Sequence, residues 1–288
     1  MKLPYWTTTL AICLLAGTAG AQSWAWDDGT TPFVVTPPEV VDRMLRLAEP
    51  KAGETLVDLG SGDGRIVIEA ARRFGTRGLG VEIDPSLVTR ARENARRAGV
   101  EALARFEVQD LFETDLRGVS VVTLYLLPEV NRKVMPRLLQ DLKPGARVVS
   151  HDYDMGEWRP DETIELPIAE KLIGPLGRST VYLWLVPANA RGTWKGLLQG
   201  HGGEWEFRVR QRFQMLEIEA RAQGRELAVR GSRLRGEELK LVVTGNIDGR
   251  ARNHLFRGTL KGERIEGEVL ISDGEESTTR PWTAIRQP

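Results

Sequence analysis

The 288 residues carry 40 lysines and arginines against 40 aspartates and glutamates, with 41% hydrophobic residues and a single cysteine. That balance argues against a strongly basic nucleic-acid binder and against an acidic disordered chain. The length suits two domains of ordinary size, each with its own core.

The chain opens on MKLPYWTTTLAICLLAGTAGAQS. Lys2, an apolar run around Leu10–Leu15 and the A-x-A site Ala19-Gly20-Ala21 make residues 1–21 an expected secretory signal peptide, with Gln22 starting the mature chain. The run is too short to span a bilayer and no twin arginine precedes it. The expectation is therefore export by the general secretory route to the periplasm or medium, with no membrane span left after cleavage. Cys13 falls inside the signal, behind a lipobox spoiled by bulky Ile12, so the mature fold cannot rest on disulfides. Residues 22–36 read as a polar, turn-rich N-terminal arm.

Thr36-Pro37-Pro38-Glu39 has the form of a helix start with a capping box, followed by Val40, Val41, Met44, Leu45 and Leu47 at helical spacing. Strands and helices then alternate: strand Thr55–Leu59, helix Arg65–Phe74, strand Gly78–Ile83, helix Pro85–Ala98, and strand Arg105–Val108. The all-apolar strand Val119–Leu124 comes next, then helix Glu129–Leu142 with Pro136 inside it, and strand Ala146–Ser150. Further strands near Thr163–Pro167 and Thr180–Val186 complete the set. Such alternation predicts an α/β domain over residues 37–187: a Rossmann-like parallel sheet with helices on both faces.

After Pro187 the helical period vanishes. Trp205, Phe207 and Val209 alternate with charged residues, as do Leu239, Leu241 and Val243, and Ile265, Val269 and Ile271. Asp248-Gly249 and Asp273-Gly274 are hairpin turn signals, and Arg230-Gly231 through Glu237 is weakly echoed by Arg257-Gly258 through Glu263. Residues 188–288 therefore read as a small antiparallel β sandwich or barrel of about eight strands. Its aromatics are expected to be core.

The chemistry concentrates in VDLGSGDGR, residues 57–65. Strand, glycine turn and helix make a nucleotide cradle in which backbone N–H groups and the positive helix end face a ligand. Glu82, about 20 residues on, stands where an acid takes ribose hydroxyls. Gly60-Ser61-Gly62-Asp63-Gly64 lacks the third glycine of the dinucleotide pattern, since Arg65 follows. Asp58 adds an acid that can accept from an α-ammonium group, which S-adenosylmethionine has and NAD lacks. Asp110, ending the third strand, can accept from the adenine amino group. Each acid also has an ordinary use: Asp58 and Asp63 as turn formers, Glu82 and Asp110 as helix caps.

These residues resemble a known superfamily. Asp58–Gly64 matches the first motif of class I, seven-β-strand, S-adenosylmethionine-dependent methyltransferases, Gly80-Val81-Glu82-Ile83-Asp84 the second, and Leu142-Lys143-Pro144-Gly145-Ala146 the turn before the fifth strand. Phe33-Val34-Val35-Thr36-Pro37, DLGSGDGRI at 58–66, Leu124-Tyr125-Leu126-Leu127-Pro128 and Ala146–Ser150 further resemble small protein-lysine methyltransferases of the ATP synthase c-subunit type. The resemblance implies that Asp58, Gly60, Ser61, Gly62, Asp63, Gly64, Glu82 and Asp110 bind S-adenosylmethionine and that Tyr125 borders the reacting methyl. The signal and the β domain depart from that family.

Methyl transfer needs no metal, and the sequence has no Cys/His cluster to hold one. It needs an acceptor held in line, and an amine acceptor needs to lose its proton. Leu124, Leu126, Leu127 and Trp158 are expected to line an apolar slot that favours the neutral amine. His151 is placed to relay the proton, and His151 or Asp152, in Ser150-His151-Asp152-Tyr153-Asp154, is a candidate catalytic group. Three functions stay open at this point: methylation of a protein side chain, most simply lysine; methylation of a small molecule or lipid; and non-enzymatic binding of an S-adenosyl nucleoside by an exported protein. No nucleic-acid partner is expected, and the oligomeric state is not legible.

Overall fold

The computed structural model of the chain describes residues 33–169, 171, 175–198, 203–247 and 249–288. The expected signal peptide and residues 22–32 of the expected arm lie outside the described residues, as does Asp248 of one turn signal.

Helix α1 (Pro38–Ala48) begins one residue later than the capping box requires. Pro37 is the N-cap and makes no side-chain cap bond, so the box does not form. The Thr36 carbonyl instead accepts from the Arg65 guanidinium at 2.8 Å. Strand β1 (Thr55–Leu59), α2 (Arg65–Phe74), β2 (Arg77–Glu82), α3 (Pro85–Arg97), β3 (Ala104–Val108), β4 (Val121–Leu124), α4 (Pro128–Asp141) and β5 (Arg147–His151) follow in the expected alternation. Strands β6 (Glu162–Pro167) and β7 (Arg178–Leu185) close the sheet.

The strand order is β3-β2-β1-β4-β5-β7-β6. The first five strands are parallel, whereas β7 runs antiparallel to both β5 and β6. The sheet is thus mixed, not wholly parallel. Among the described residues no helix separates β5, β6 and β7, and the short β6–β7 connection suits an antiparallel return rather than a parallel crossover. The alternate residues of β1 divide between the two faces. Leu56 packs with α1, α2 and α3 on one side, while Val57 packs with α4, Met155, Trp158 and Trp184 on the other.

Strands β8 (Gly192–Leu198), β9 (Gly203–Arg212), β10 (Met215–Ala222), β11 (Arg225–Arg235), β12 (Glu238–Ile247), β13 (Arg250–Lys261), β14 (Arg264–Ser272) and β15 (Ser277–Arg286) form a closed antiparallel barrel. Closure follows from β15 pairing with β8 through Ala284 and Gly196, which resolves the sandwich-or-barrel alternative. Trp194, Trp205, Phe207, Phe256 and Trp282 fill its interior, with Phe256 at 5.1 Å from Trp205 and 4.9 Å from Trp282 in edge-on contacts. These aromatics are core.

Two barrel turns reach the sheet domain. The Gly236 carbonyl accepts from Ala188, and Gly236 lies against Gly145 just before β5. The β9–β10 turn sets Phe213 parallel to Trp158 at 6.5 Å, with Gln214 donating to the Arg159 carbonyl and Arg212 paired with Glu157. Among the described residues no helix is long and apolar enough to cross a membrane.

Candidate active site

The carboxyl ends of β1, β2, β4 and β5 meet at one edge of the sheet, where the order reverses between β1 and β4. Such a reversal opens a crevice. The glycine loop enters it from β1. Gly60 has φ +77, and a Cβ there would meet Leu126 Cδ2 at 2.7 Å. Gly62 has φ +53, and a Cβ there would meet the Phe33 ring at 2.5 Å. Side chains are excluded by left-handed backbone and by Leu126 and Phe33, so the loop is cramped before any ligand arrives. Gly64 is the N-cap of α2.

The loop's N–H groups are less free than expected. Gly60 and Ser61 both donate to the Val81 carbonyl, and Gly62 donates to Glu82 Oε2 at 3.0 Å. Glu82 also accepts from Ile83 and Asp84 through Oε1. These three bonds hold the carboxylate at the crevice, while Asp84, not Glu82, caps α3. Ser61 is buried with its hydroxyl unpartnered and turned toward Gly80. Asp63 is held by Arg65, and its carbonyl accepts from Asn94. Half-burial pushes its carboxyl up, but the adjoining guanidinium wins and holds it below the usual range.

Asp58 is buried and accepts from the Thr123 hydroxyl at 2.6 Å. Burial pushes its carboxyl up to about 7; Thr123 opposes this, and the charges of Glu82 and Asp63 add to it. A carboxylate so poorly solvated is a seat for a cation. Asp110 caps the short helix Leu111–Glu113, accepting from Phe112 at 2.8 Å. Ile83 and Phe112, 59% and 37% exposed, sit beside Glu82 and Asp110 as apolar surface at the same edge. Neither was singled out in the sequence, although each directly neighbours a singled-out acid or its turn.

Beyond β4 the mouth changes character. Tyr125 lies 3.9 Å from the His151 ring and 6.4 Å from Tyr153 between centroids. Burial and the neighbouring Asp152 carboxylate push its phenol well up, so it stays protonated. His151 is fully buried, its Nε2 2.9 Å from Ser179 Oγ. Burial pushes its imidazole down to about 4; Asp152 opposes this and Lys171 adds to it. A neutral, enclosed ring does not reach an acceptor from solvent. Asp152 has φ +63, accepts from Thr180 N–H and pairs with the buried Lys171. Asn131 on α4 donates to Ser150 and to the Tyr153 carbonyl, pinning this turn from behind. The expected slot is only partly present. Leu124, Leu126 and Trp158 all belong to the core under the sheet, Leu126 at the point where that core meets the glycine loop, and only Leu127 of the four is partly exposed. Among the described residues no group of three metal-ligating side chains occurs.

Sheet order, glycine cradle and the acids at the strand ends define a class I S-adenosylmethionine-dependent methyltransferase. The comparisons make this specific. A family model described as ANTKMT methyltransferase domain matches residues 58–162. A protein-lysine N-methyltransferase of Saccharolobus islandicus is 38% identical over 156 residues, covering 54% of this chain and 93% of the relative. The mouse adenine nucleotide translocase lysine N-methyltransferase is 39% identical over 130 residues, 45% of this chain and 56% of the relative. A crystal structure titled RNA methyltransferase from Salinibacter ruber in complex with S-adenosyl-L-homocysteine is 54% identical, covers 54% of this chain and 95% of that one, and superposes with a TM-score of 0.50. The chain belongs to this methyltransferase family, with S-adenosylmethionine as its cofactor.

Proposed function

We propose that the chain methylates the Nζ of lysine in a protein acceptor. The observation that carries this reading is the 38% identity spanning 93% of the Saccharolobus islandicus protein-lysine N-methyltransferase. The mouth agrees with it: Tyr125 and His151 offer apolar faces beside the Asp152 carboxylate, a setting for an alkyl-ammonium tip.

In this reading Asp58 takes the α-ammonium of S-adenosylmethionine, Glu82 the ribose hydroxyls and Asp110 the adenine amino group, with Ile83 and Phe112 against the base. Gly60, Gly62 and Gly64 let the loop turn tightly enough to present these groups, and Ser61 and Asp63 shape it. The cofactor supplies an activated methyl on a sulfonium. The residues of the mouth hold the acceptor in line and exclude water. Tyr125 borders the methyl; Asp152 is the candidate to take up the acceptor's proton, with His151 behind it.

Tritiated methyl from S-adenosylmethionine, incubated with extract and purified protein, tests the acceptor. Label that survives nuclease, is lost to protease and hydrolyses to methyl-lysine is the expected result. Nuclease-sensitive label would favour an RNA acceptor, and organic-phase label a lipid or small molecule. We also propose export and a mature chain starting at Gln22, which intact mass of the natural protein checks.

A further inference from the structure

The connection between β6 and β7 carries Lys171. Because β7 runs against β5, β6 ends and β7 begins at the same sheet edge as the carboxyl ends of β1–β5, next to His151 and Asp152. Lys171 turns inward. Its side chain is 4% exposed, its Nζ donates to the Arg178 carbonyl at 2.7 Å, and it pairs with Asp152 Oδ2, whose own side chain is wholly buried. A buried ion pair seldom gains over apolar packing of the same volume. Here the partner carboxylate also belongs to a residue in left-handed backbone, φ +63, which is strained for a non-glycine residue. The cofactor cradle uses neither residue. What the two build, with Tyr125 and His151 alongside, is an alkyl-ammonium seated on a carboxylate beside aromatic rings on the acceptor side of the crevice.

We infer that Asp152 is the seat for the acceptor ammonium and that Lys171 is an internal stand-in, which the acceptor lysine displaces. The inference rests on the lysine reading above and adds a self-occlusion to it. A displaced Lys171 leaves Asp152 paired with the incoming ammonium, so the buried carboxylate is never left bare. Transfer from that seat balances simply. The ammonium gives a proton to Asp152, the freed amine forms an N–C bond as the S–CH₃ bond breaks, and S-adenosylhomocysteine leaves.

Lys171→Ala opens the slot to a small amine, and n-butylammonium chloride is the probe. Without cofactor, it should raise the melting temperature of Lys171→Ala by several degrees over equal sodium chloride. Wild type and the Lys171→Ala/Asp152→Asn pair should not respond. With S-adenosylmethionine, Lys171→Ala should form N-methylbutylamine at least tenfold faster than wild type. A cooperatively melting Lys171→Ala that shows no amine-dependent shift overturns the inference. A shift without product also overturns it, because the slot then stands apart from the methyl. Lys171→Ser replaces it should the alanine variant not fold. Wild type that methylates protein lysines while Lys171→Ala fails both assays sinks the stand-in alone. Lys171→Ala that methylates butylamine while wild type labels no protein lysine sinks the acceptor reading alone.

Discussion

Asp58 and His151 place opposite demands on pH. The folded Asp58 carboxyl titrates near 7 against a reference of 3.8, chiefly because it is buried. Its contribution to stability is complete below the reference value and is lost as pH rises through about 7, amounting to about 4 kcal/mol at ~1.4 kcal/mol per pH unit. Asp58→Asn should therefore melt higher than wild type at pH 8, by several degrees, and match it near pH 4, while its affinity for S-adenosylhomocysteine collapses. His151 titrates near 4 against 6.5. Its contribution is present above 6.5 and lost as pH falls through about 4. His151→Gln should therefore cost most stability at neutral pH and least below pH 4, and thermal melts across pH 3–9 separate the two effects. The acids were legible in the sequence because strand ends in an alternating pattern fix where they stand. Thr123, 65 residues from Asp58, was not, since only the β1–β4 pairing brings it there. Lys171 and Ser179 escaped for the same reason.

Among the elements of the sheet domain, periodicity located the strands and helices to within a residue or two, while for the barrel it gave about eight strands without their bounds. The failures lie where tertiary contacts decide. The Thr36 carbonyl bonds Arg65, and the helix starts at Pro38 without the box. The direction of β7 depends on what joins it to β5, which alternation cannot supply. Trp158 looked like mouth lining, yet it packs 5.9 Å from Trp184 under the sheet, with the Trp158 carbonyl accepting from the Trp184 indole. That buried indole makes the β9–β10 turn a brace. Phe213 stacks on Trp158, Gln214 bonds Arg159 and Arg212 pairs with Glu157, so the turn grips the segment that follows Asp152 and Tyr153. The combined Phe213→Ala/Gln214→Ala change should cost about 1–3 kcal/mol. It should lower turnover severalfold and leave S-adenosylhomocysteine affinity unchanged, because the brace bears on Glu157, Trp158 and Arg159 after β5 and bonds none of Asp58, Glu82, Asp110 or the glycine loop. Calorimetry and initial rates read the two apart. The glycine loop gives the converse case. Gly60→Ala must hold a Cβ at φ +77 and 2.7 Å from Leu126, so cofactor affinity should fall at least tenfold in the same titration.

For the whole molecule, the two halves differ in how much each needs the other. The barrel closes on itself through β15 and β8, leaving no free edge, and its core of Trp194, Trp205, Phe207, Phe256 and Trp282 draws on no residue of the sheet domain. Residues 188–288 should therefore fold alone, with a cooperative melt and dispersed amide resonances. The sheet domain is in the opposite position. Its post-β5 turn is pinned by Asn131, the segment after that turn is backed by Phe213 through Trp158, and the segment before β5 rests on Gly236. A chain ending at Pro187 keeps every strand of the seven-stranded sheet and loses both supports. Such a chain should still bind S-adenosylhomocysteine, since Asp58, Glu82, Asp110 and the glycine loop touch nothing in the barrel, but melt several degrees lower and turn over at least tenfold more slowly. Full turnover by that chain would reduce the barrel to a passenger. Loss of cofactor binding would show that the barrel also supports the cradle.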